Sequence, residues 1–373
     1  MYRESARQVG PFVHAARLRE LGAYRAGPRE ASKRDHPIGA LARSAIVGSR
    51  VEPLARAVWS AGTVTVPGIV RAFRELVAFR PDVIHAHLYY GFVCGLVLAR
   101  LTGRPLVHTV PALLAQMRGV SWMPGLYARF HPLVARFFTD YPDELHRVGV
   151  PEEKIRWIRG CLDIAATDAA YAHRDRYRSE VRAALGLPAD APLALSVGRL
   201  HPSKGHDLAA RAIAIAARRL PALQWVVLGE GPERGTLEAL VRELGIVERT
   251  HLRGFTPEVL PWYAAADLYL RTTVIEAENL SSRQAMAMGL PVVGFETGAP
   301  TELLRLVGHG VPVANGDASL LAGAITGVLG SDDRGRALGL RGQAYARTEL
   351  GIGNLIEQYV AAYEELGRKE ADR

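Results

Sequence analysis

Two cationic side chains lie close together in the segment SVGRLHPSKGHD, which follows a short apolar run. Arg199 and Lys204 occupy this loop just before a helical pattern begins, and Gly198 precedes them. A guanidinium fork, an ammonium group and the first amides of a helix together suit a diphosphate group. Basic loop residues are more often simply solvated, but lysine is rare in this arginine-rich chain, where only four residues are lysine. We therefore favour an anion-binding role for Arg199 and Lys204.

Two carboxylates stand together at the start of the segment IEAENLSSRQAMAMGLPVV, at Glu276 and Glu278. Ser281 and Ser282 are typical N-cap residues and predict a short helix, which places Gln284 in its first turn. Phosphates could bind at the start of this helix, and carboxylates beside a phosphate site make sense as acceptors of hydrogen bonds from sugar hydroxyls. Exposed loop acids without a ligand explain the same pattern equally well.

Glycines follow two further apolar runs. VVLGEGPE places Gly229 and Gly231 after one strand pattern, and LRGF places Gly254 and Phe255 after the next. Glycine lets the backbone approach a ligand closely, and an aromatic ring could form a wall beside a base. Ordinary tight turns use the same residues, so these glycines are a weaker signal than the cations.

All of these residues follow apolar runs of strand length that alternate with helical patterns. This alternation predicts parallel sheets with helices on both faces. Prolines and glycines in ALGLPADAPLAL place a domain boundary near residue 187. We expect an N-terminal domain over residues 1–187, a C-terminal domain over 188–350, and a last helix over 351–373 that carries an apolar stripe. Ligands bind beyond the carboxyl ends of such strands, so two doubly wound domains would enclose a cleft.

The composition is that of an ordinary soluble protein, with 373 residues, 49% of them hydrophobic and 23% charged. The formal net charge of +8 suits an anionic substrate or a membrane surface, but no nucleic-acid-binding motif is present. Cys94 and Cys161 lack metal or redox spacing. The first ten residues have no apolar segment of the signal-peptide type, and no apolar run is long enough to cross a bilayer. We expect a cytoplasmic protein.

In this order and spacing, the segments from Leu193 to about Gly330 resemble the C-terminal half of the GT-B glycosyltransferases, specifically the large retaining family 4 type. RPDVIHAHLYYG and GRPLVHTV resemble the N-terminal half more loosely. The resemblance implies two Rossmann-like domains facing each other across a cleft, with a last helix that crosses back to the N-terminal domain. It also implies transfer of a sugar, with retention and without a metal or other cofactor, from a nucleotide diphosphate donor to an acceptor hydroxyl. A UDP-sugar is the favoured donor.

The same resemblance implies roles for individual residues. Arg199 and Lys204 would neutralise the donor diphosphate and stabilise the leaving group, and Glu276 would bind the hydroxyls of the donor sugar. Gln284 stands where the second acid of the family pattern Glu-x7-Glu normally grips the ribose, and an amide can accept through only one oxygen. Other donor-side residues would supply backbone amides or close approach: Gly198, Gly229, Gly231, Gly254, Phe255, Glu278, Asn279, Leu280 and Ser281.

The N-terminal half departs from the family pattern. The segment SARQVGPFVHAARLRELG resembles the first helix of the family. Either the start codon is assigned too late, or the first strand is missing and a sheet edge is left unpaired. Pro111 stands where the family often has a histidine facing the reacting sugar, and His108 is predicted to be a core or turn residue. His87 and Trp122 are candidate acceptor-side residues, although packing roles fit them as well.

Two classes of function are compatible with these patterns. One is an enzyme whose acceptor is a small molecule, a glycan or a lipid-linked sugar, with peripheral membrane contact and no nucleic acid; its oligomeric state is not indicated. The other is a catalytically impaired GT-B protein that binds a nucleotide sugar or a partner enzyme. Pro111 and Gln284 favour the second class, whereas the intact set of Arg199, Lys204 and Glu276 favours the first.

Overall fold

The computed structural model describes residues 6–10, 13–16, 73–74, 76–110, 123–139, 142–157, 162–274 and 280–371. The chain forms two compact units. The first contains Met1–Trp157 together with Tyr359–Arg373, and the second contains Ile158–Gln358. Within the described ranges, no helix combines the length and the apolar character that crossing a lipid bilayer requires.

The described part of the first unit is built on a six-stranded sheet with the strand order β1-β2-β3-β4-β5-β6. Strands β3 to β6 are parallel, as the alternation of strands and helices predicts. The strands are β1 (Ala6–Gly10), β2 (Val13–Ala16), β3 (Val83–His87), β4 (Leu106–Val110), β5 (Val134–Thr139) and β6 (Ile155–Trp157). The helices of this part are α1 (Leu88–Thr102), α2 (Met123–Phe130) and α3 (Pro142–Arg147).

The edge of β3 that was expected to be unpaired carries a partner strand. Strand β2 pairs with β3 in antiparallel register, with Val13 opposite Ala86 and His14 opposite His85, and β1 pairs with β2. The helix predicted over this segment is therefore wrong for residues 6–10 and 13–16. A sheet edge presents a row of backbone donors and acceptors that require partners. This tertiary demand outweighs the weak helical pattern of a short segment.

One face of the first sheet contains a buried histidine. His108 in β4 is 0% exposed, and its ring lies 4.7 Å from that of Phe92. Nδ1 donates to the carbonyl oxygen of Ala86 at 3.0 Å, so in the neutral ring Nε2 accepts from the Tyr127 hydroxyl at 2.7 Å. Burial lowers the pKa of His108 to about 3. The core role predicted for His108 is confirmed, and Tyr127 is a core residue as well.

The second unit contains another sheet of six strands, whose order is β12-β11-β10-β7-β8-β9 and whose neighbours all pair in parallel. Its strands are β7 (Leu193–Val197), β8 (Gln224–Leu228), β9 (Thr250–Gly254), β10 (Leu268–Arg271), β11 (Val292–Phe295) and β12 (Gly310–Val313). Its helices are α4 (Ile164–Ala172), α5 (Arg174–Ala184), α6 (His206–Ala216), α7 (Arg234–Glu243), α8 (Leu260–Ala265), α9 (Leu280–Ala287), α10 (Gly298–Val307), α11 (Ala318–Leu329) and α12 (Asp332–Glu349). Buried aliphatic side chains cover both faces of this sheet.

The strand order of the second sheet reverses between β7 and β10. From β7 the chain adds β8 and β9 on one side, then returns to place β10 on the other side of β7 and continues to β11 and β12. In open parallel sheets, ligands bind beyond the carboxyl ends of the strands at such a switch point. Arg199 and Lys204 follow β7, and Arg271 is the last residue of β10.

The border between the units lies at Trp157 and Ile158, which differs from the boundary predicted near residue 187. Helix α5 is tied to the second unit through Arg182, which is nearly fully buried. Its guanidinium donates to the carbonyl oxygens of Ala191 and Ala265 and forms an ion pair with Asp267. Proline and glycine punctuation near residue 187 marks a loop inside the second unit.

The last helix, α13 (Ile352–Ala371), belongs to the second unit up to Gln358 and to the first unit from Tyr359. In the first unit, the hydroxyl of Tyr363 is hydrogen-bonded to Nδ1 of His85. The ring of Tyr359 packs against Phe138 with centroids 4.5 Å apart. The tyrosines at positions 359 and 363 are part of the apolar stripe seen in the sequence.

Acidification should destabilise the protein through its buried histidines. The pKa of His108 is lowered from 6.5 to about 3 in the folded chain. Its contribution to stability is therefore complete above the unfolded pKa and is lost as the pH falls from 6.5 toward 3. Between about pH 7.5 and pH 5 this loss amounts to about 2 kcal/mol. Urea unfolding at the two pH values should show a smaller acid loss in His108→Gln than in the wild type. The exposed His173→Gln should behave like the wild type, and equal acid losses in all three proteins would contradict the prediction.

Candidate active site

The connection between β7 and α6 carries Arg199 and is held by backbone hydrogen bonds to the end of β8. Gly198 N donates to Leu228 O at 2.9 Å, and Leu200 N donates to Glu230 O at 3.0 Å. The side chain of Leu200 is buried in the core, whereas Arg199 is exposed. The backbone is thus fixed on both sides of Arg199, and the guanidinium is free to meet a ligand.

Lys204 is the last residue of a short 3₁₀ turn (Pro202–Lys204). Residues that follow β10 hold this turn. The hydroxyl of Thr272 donates to Lys204 O at 2.9 Å, and Val274 N donates to Ser203 O at 3.0 Å. The Lys204 stem lies beside Gly198, where an added Cβ would be 3.8 Å from the lysine Cδ. Lys204 therefore lies against the carboxyl end of β7, next to the switch point.

The predicted glycines after β8 are required by close backbone contacts. Gly229 has φ 151°, and a Cβ added there would lie 1.8 Å from Gly198 O. A Cβ added to Gly231 would lie 2.1 Å from Leu200 O. Gly229 N also donates to Gly254 O at 2.8 Å, so the ends of β7, β8 and β9 are joined. The structure thus adds a reason for these glycines that the sequence did not reveal: other loops, and not only a ligand, approach them.

The histidine beside Arg199 and Lys204 is neutral. His206 begins α6 and is buried. Burial lowers the pKa of His206 to about 4; the backbone of Arg199 partly opposes this shift, and the charge of Lys204 adds to it. No hydrogen bond of normal geometry reaches either ring nitrogen within the described part of the chain. At neutral pH the imidazole is uncharged.

The remaining predicted donor-side residues that the structure describes are Phe255 and those at the start of α9. The Phe255 side chain is 77% exposed, directly after β9. Helix α9 begins at Leu280, so Ser281 lies in its first turn and is not the N-cap, contrary to the prediction. The Tyr263 hydroxyl donates to Ser281 O at 3.0 Å, which fixes this turn against α8 by a tertiary contact. Gln284 is half-buried on the same helix.

Several predicted site residues lie outside the described residues: Glu276, Glu278, Asn279, Pro111 and Trp122. His87 is described and belongs to the first unit, at the end of β3. Its ring stacks on that of His85 with centroids 4.1 Å apart, so it has the packing contact that was its alternative explanation. Where the structure is described, no three His, Cys, Asp or Glu side chains are grouped as metal ligands are.

The prediction missed one residue beside the switch point. Arg271, the last residue of β10, is 2% exposed, and its guanidinium donates to Phe295 O at 2.6 Å and to the Thr297 hydroxyl. The available signal was an arginine inside the otherwise apolar strand pattern ADLYLRTT. A cation in a strand covered on both faces is rare unless the fold requires it.

Comparison with known proteins identifies the family to which this fold and these loops belong. The family model described as "Glycosyl transferases group 1" matches residues 191–331, and the model described as "Glycosyltransferase Family 4" matches residues 28–166. The chain therefore contains a glycosyltransferase family 4 domain in its first half and a group 1 glycosyltransferase domain in its second half. The family resemblance seen in the sequence is thereby confirmed, and the protein is an enzyme of the glycosyltransferase class.

Among curated relatives, the glycosyltransferase is similar to D-inositol 3-phosphate glycosyltransferase of Thermobispora bispora. The two are 28% identical over 328 residues, which cover 81% of this chain and 75% of the relative. The lipopolysaccharide core biosynthesis glycosyltransferase LpsE of Rhizobium meliloti is 32% identical over 161 residues, which cover 43% of this chain and 46% of LpsE. The similarity to the first protein thus extends over both units.

Among solved structures, the glycosyltransferase is similar to HepE of Anabaena, which was crystallised in complex with UDP and with UDP-glucose. The UDP complex has a TM-score of 0.71 at 20% identity and covers 80% of this chain and 82% of HepE. The UDP-glucose complex has a TM-score of 0.64 at 19% identity and covers 82% of each chain. At this level of identity the likeness establishes the fold, which is GT-B with two Rossmann-like domains, as predicted.

Substitution of Gly231 should destabilise the second unit. In Gly231→Ala the new methyl group would meet the Leu200 carbonyl, and overpacking of this kind costs about 1–3 kcal/mol. The control is Gly235→Ala in α7, where an added Cβ meets nothing within 4 Å. Alanine there should leave stability unchanged or raise it by up to about 1 kcal/mol. Thermal unfolding measures both variants, and equal melting temperatures would contradict the close approach of the two loops.

Proposed function

We propose that the protein is a retaining glycosyltransferase that moves a sugar from a nucleotide diphosphate donor to an acceptor hydroxyl without a metal ion or other cofactor. A UDP-sugar is the favoured donor. The observation that carries the proposal is the placement of Arg199 and Lys204 on the β7–α6 connection, at the switch point of the second sheet. HepE, which has the same fold, binds UDP and UDP-glucose, and this supports the choice of nucleotide.

The proposed chemistry needs a stabiliser for the leaving diphosphate. When the bond between the anomeric carbon and the phosphate oxygen breaks, negative charge develops on that oxygen. The acceptor oxygen bonds to the carbon on the face that the phosphate leaves, and its proton passes to the departing phosphate oxygen. Arg199 and Lys204 would stabilise this charge from a backbone that is already fixed, so little reorganisation is needed. This arrangement gives the protein's own cations the role that a metal ion has in other phosphate sites.

The remaining predicted residues complete the donor site in this proposal. Glu276 would accept hydrogen bonds from the hydroxyls of the donor sugar, and Gln284 would accept one from the ribose. Amides at the start of α9, around Leu280 and Ser281, would bind phosphate, together with Glu278 and Asn279 before them. The exposed ring of Phe255 would lie beside the base, at the ends of β8 and β9.

Acceptor recognition would fall to the first unit, with His87 and Trp122 as candidate residues. A small molecule, a glycan or a lipid-linked sugar all fit the proposed reaction, and the similarity to D-inositol 3-phosphate glycosyltransferase adds an anionic cyclic polyol to these candidates. The alternative is a catalytically impaired protein that still binds a nucleotide sugar or a partner enzyme. Gln284 in place of an acid favours this alternative, because its amide oxygen is a single neutral acceptor.

Calorimetric titration with UDP, GDP, ADP and dTDP should show that one diphosphate, expected to be UDP, binds with micromolar affinity. Lys204→Ala should weaken this binding by about 10- to 100-fold, because a hydrogen bond to a charged group is lost. Glu276→Ala should weaken binding of the UDP-sugar but not of UDP. The control is Arg211→Ala, which removes an exposed cation from α6. If no diphosphate binds to the wild type, the enzyme proposal fails, and of the alternative only the binding of a partner enzyme is left.

Product analysis should show retention and no metal requirement. Incubation of a UDP-sugar with an accepted acceptor should give a product whose anomeric configuration, measured by proton NMR, equals that of the donor. The rate should be unchanged by EDTA, since Arg199 and Lys204 neutralise the diphosphate. An inverted anomeric configuration would contradict the retaining mechanism. Loss of activity in EDTA would contradict metal independence. Nucleotide binding without transfer to any acceptor class would favour the impaired protein.

A further inference from the structure

The start of helix α6 lies between β7 and β10, the two strands of the switch point. Its N-cap residue, Gly205, packs so closely on the end of β10 that an added Cβ would lie 2.3 Å from Thr272 O and 3.4 Å from Val274 Cγ2. Neither Thr272 nor Val274 titrates, so these two residues bring no charge to this point. The N-cap glycine has no side chain, so no side-chain oxygen caps the first amides of α6. These amides therefore lie uncapped where an open parallel sheet binds its ligands.

The first residue of α6 is a buried histidine whose ring lacks hydrogen bonds. His206 is 8% exposed, and among the residues that the structure describes neither Nδ1 nor Nε2 has a partner of normal geometry. The buried His108 differs, because both of its ring nitrogens are hydrogen-bonded. Burial of a polar group without a hydrogen bond costs free energy, so such groups are rare in folded proteins. A ligand at the start of α6 could bond to His206 without displacing an existing hydrogen bond.

The groups around the His206 ring belong to the loop that carries the two candidate phosphate-binding cations. Burial lowers the pKa of His206 to about 4, and the ammonium group of Lys204 lowers it further. The backbone of Arg199 and the carboxylate of Asp207 oppose this shift. An interaction that raises the pKa of a base favours its protonated form, so the backbone group at Arg199 acts as an acceptor, which is the carbonyl oxygen. The ring thus lies close to both Arg199 and Lys204.

A phosphate group beside this ring would change its preferred protonation state. Neutral imidazole has one N–H and one lone pair. The carbonyl oxygen of Arg199 is already one acceptor beside the ring, and a phosphate oxygen at the start of α6 would be a second. Only the imidazolium form donates to two acceptors. The charge of the phosphates would also offset that of Lys204, which opposes protonation in the free protein.

We propose that His206 is a further phosphate-binding residue of the donor site: its ring donates to a phosphate oxygen of the nucleotide diphosphate and takes up one proton from solvent as the diphosphate binds. This role rests on the proposed function, in which Arg199 and Lys204 bind the same diphosphate. It adds to these permanent cations a group that is neutral in the free protein and charged in the complex.

The direction of the pH dependence follows from linkage between proton binding and ligand binding. The pKa of His206 is about 4 in the free protein, and the bound diphosphate raises it. The resulting gain in affinity is complete below the free value and is lost as the pH rises through the higher value of the complex. Binding should therefore strengthen on mild acidification, to the extent that His206 contributes.

Calorimetric titration of the wild type and of His206→Gln with UDP tests this role. His206→Gln should weaken UDP binding about three- to tenfold more at about pH 5.5 than at about pH 7.5, because each unit of increase in the pKa adds up to about a tenfold gain in affinity. The terminal phosphate of UDP also titrates in this range, but this effect is common to both proteins and cancels in the ratio of affinities. In buffers of different ionisation enthalpy, the wild type should take up more protons per UDP than His206→Gln, by up to about one proton. The exposed His173→Gln is the matched control and should behave like the wild type.

A ratio of affinities that does not change with pH, or equal proton uptake by the wild type and His206→Gln, overturns the proposal. If His206→Gln does not fold, NMR of the wild type with isotope-labelled histidine replaces it. UDP should then convert one histidine ring from the neutral to the protonated form at about pH 5.5, and absence of this conversion overturns the role. The two proposals fail differently. Absence of UDP binding in the wild type overturns the proposed function together with this role, whereas wild-type binding without the difference in pH dependence overturns this role alone.

Discussion

The close backbone approach between the loops after β7 and β8 is the constraint on which the candidate site depends. Gly229 and Gly231 lie so near the carbonyl oxygens of Gly198 and Leu200 that no other residue fits without displacement. Hydrogen bonds from Gly198 N and Leu200 N complete this contact. Because the loop is fixed from both sides, the backbone at Arg199 has little conformational entropy left to lose when a ligand binds.

The second half of the site is organised by the end of β10, which carries a buried cation and a hydroxyl in consecutive positions. Thr272 fixes the loop of Lys204, and Arg271 fixes the β11–α10 junction. Arg199 is exposed and Lys204 is partly buried, whereas Arg271 and Thr272 behind them are buried and hydrogen-bonded to neighbouring loops. His206 beside them is neutral. This division allows the site to be rigid and positively charged at the same time.

Periodicity predicted most strands of both sheets, because parallel strands that are covered on both faces are continuous apolar runs. It missed strand β12, in which a proline interrupts the apolar pattern, and strand β6, which has only three residues. The family resemblance predicted a helix where β1 and β2 lie, since the demand of the β3 edge for a partner does not appear in the local sequence. The boundary near residue 187 differed for a similar reason: Arg182 ties α5 to Ala265 and Asp267, far away in the sequence.

The sequence alone determined the fold class and the resemblance to glycosyltransferases, and it predicted Arg199 and Lys204 as donor-side cations, because strand periodicity and the spacing of these residues are local properties of the chain. The tertiary structure decided which of these segments contact each other. It showed that the glycines after β8 are fixed by the loop after β7, and that His108 and Tyr127 form one core hydrogen bond. It also showed that Arg271 reaches Thr297, 26 residues away. Such contacts join residues distant in sequence, and their energy depends on distance in space, which no local pattern contains.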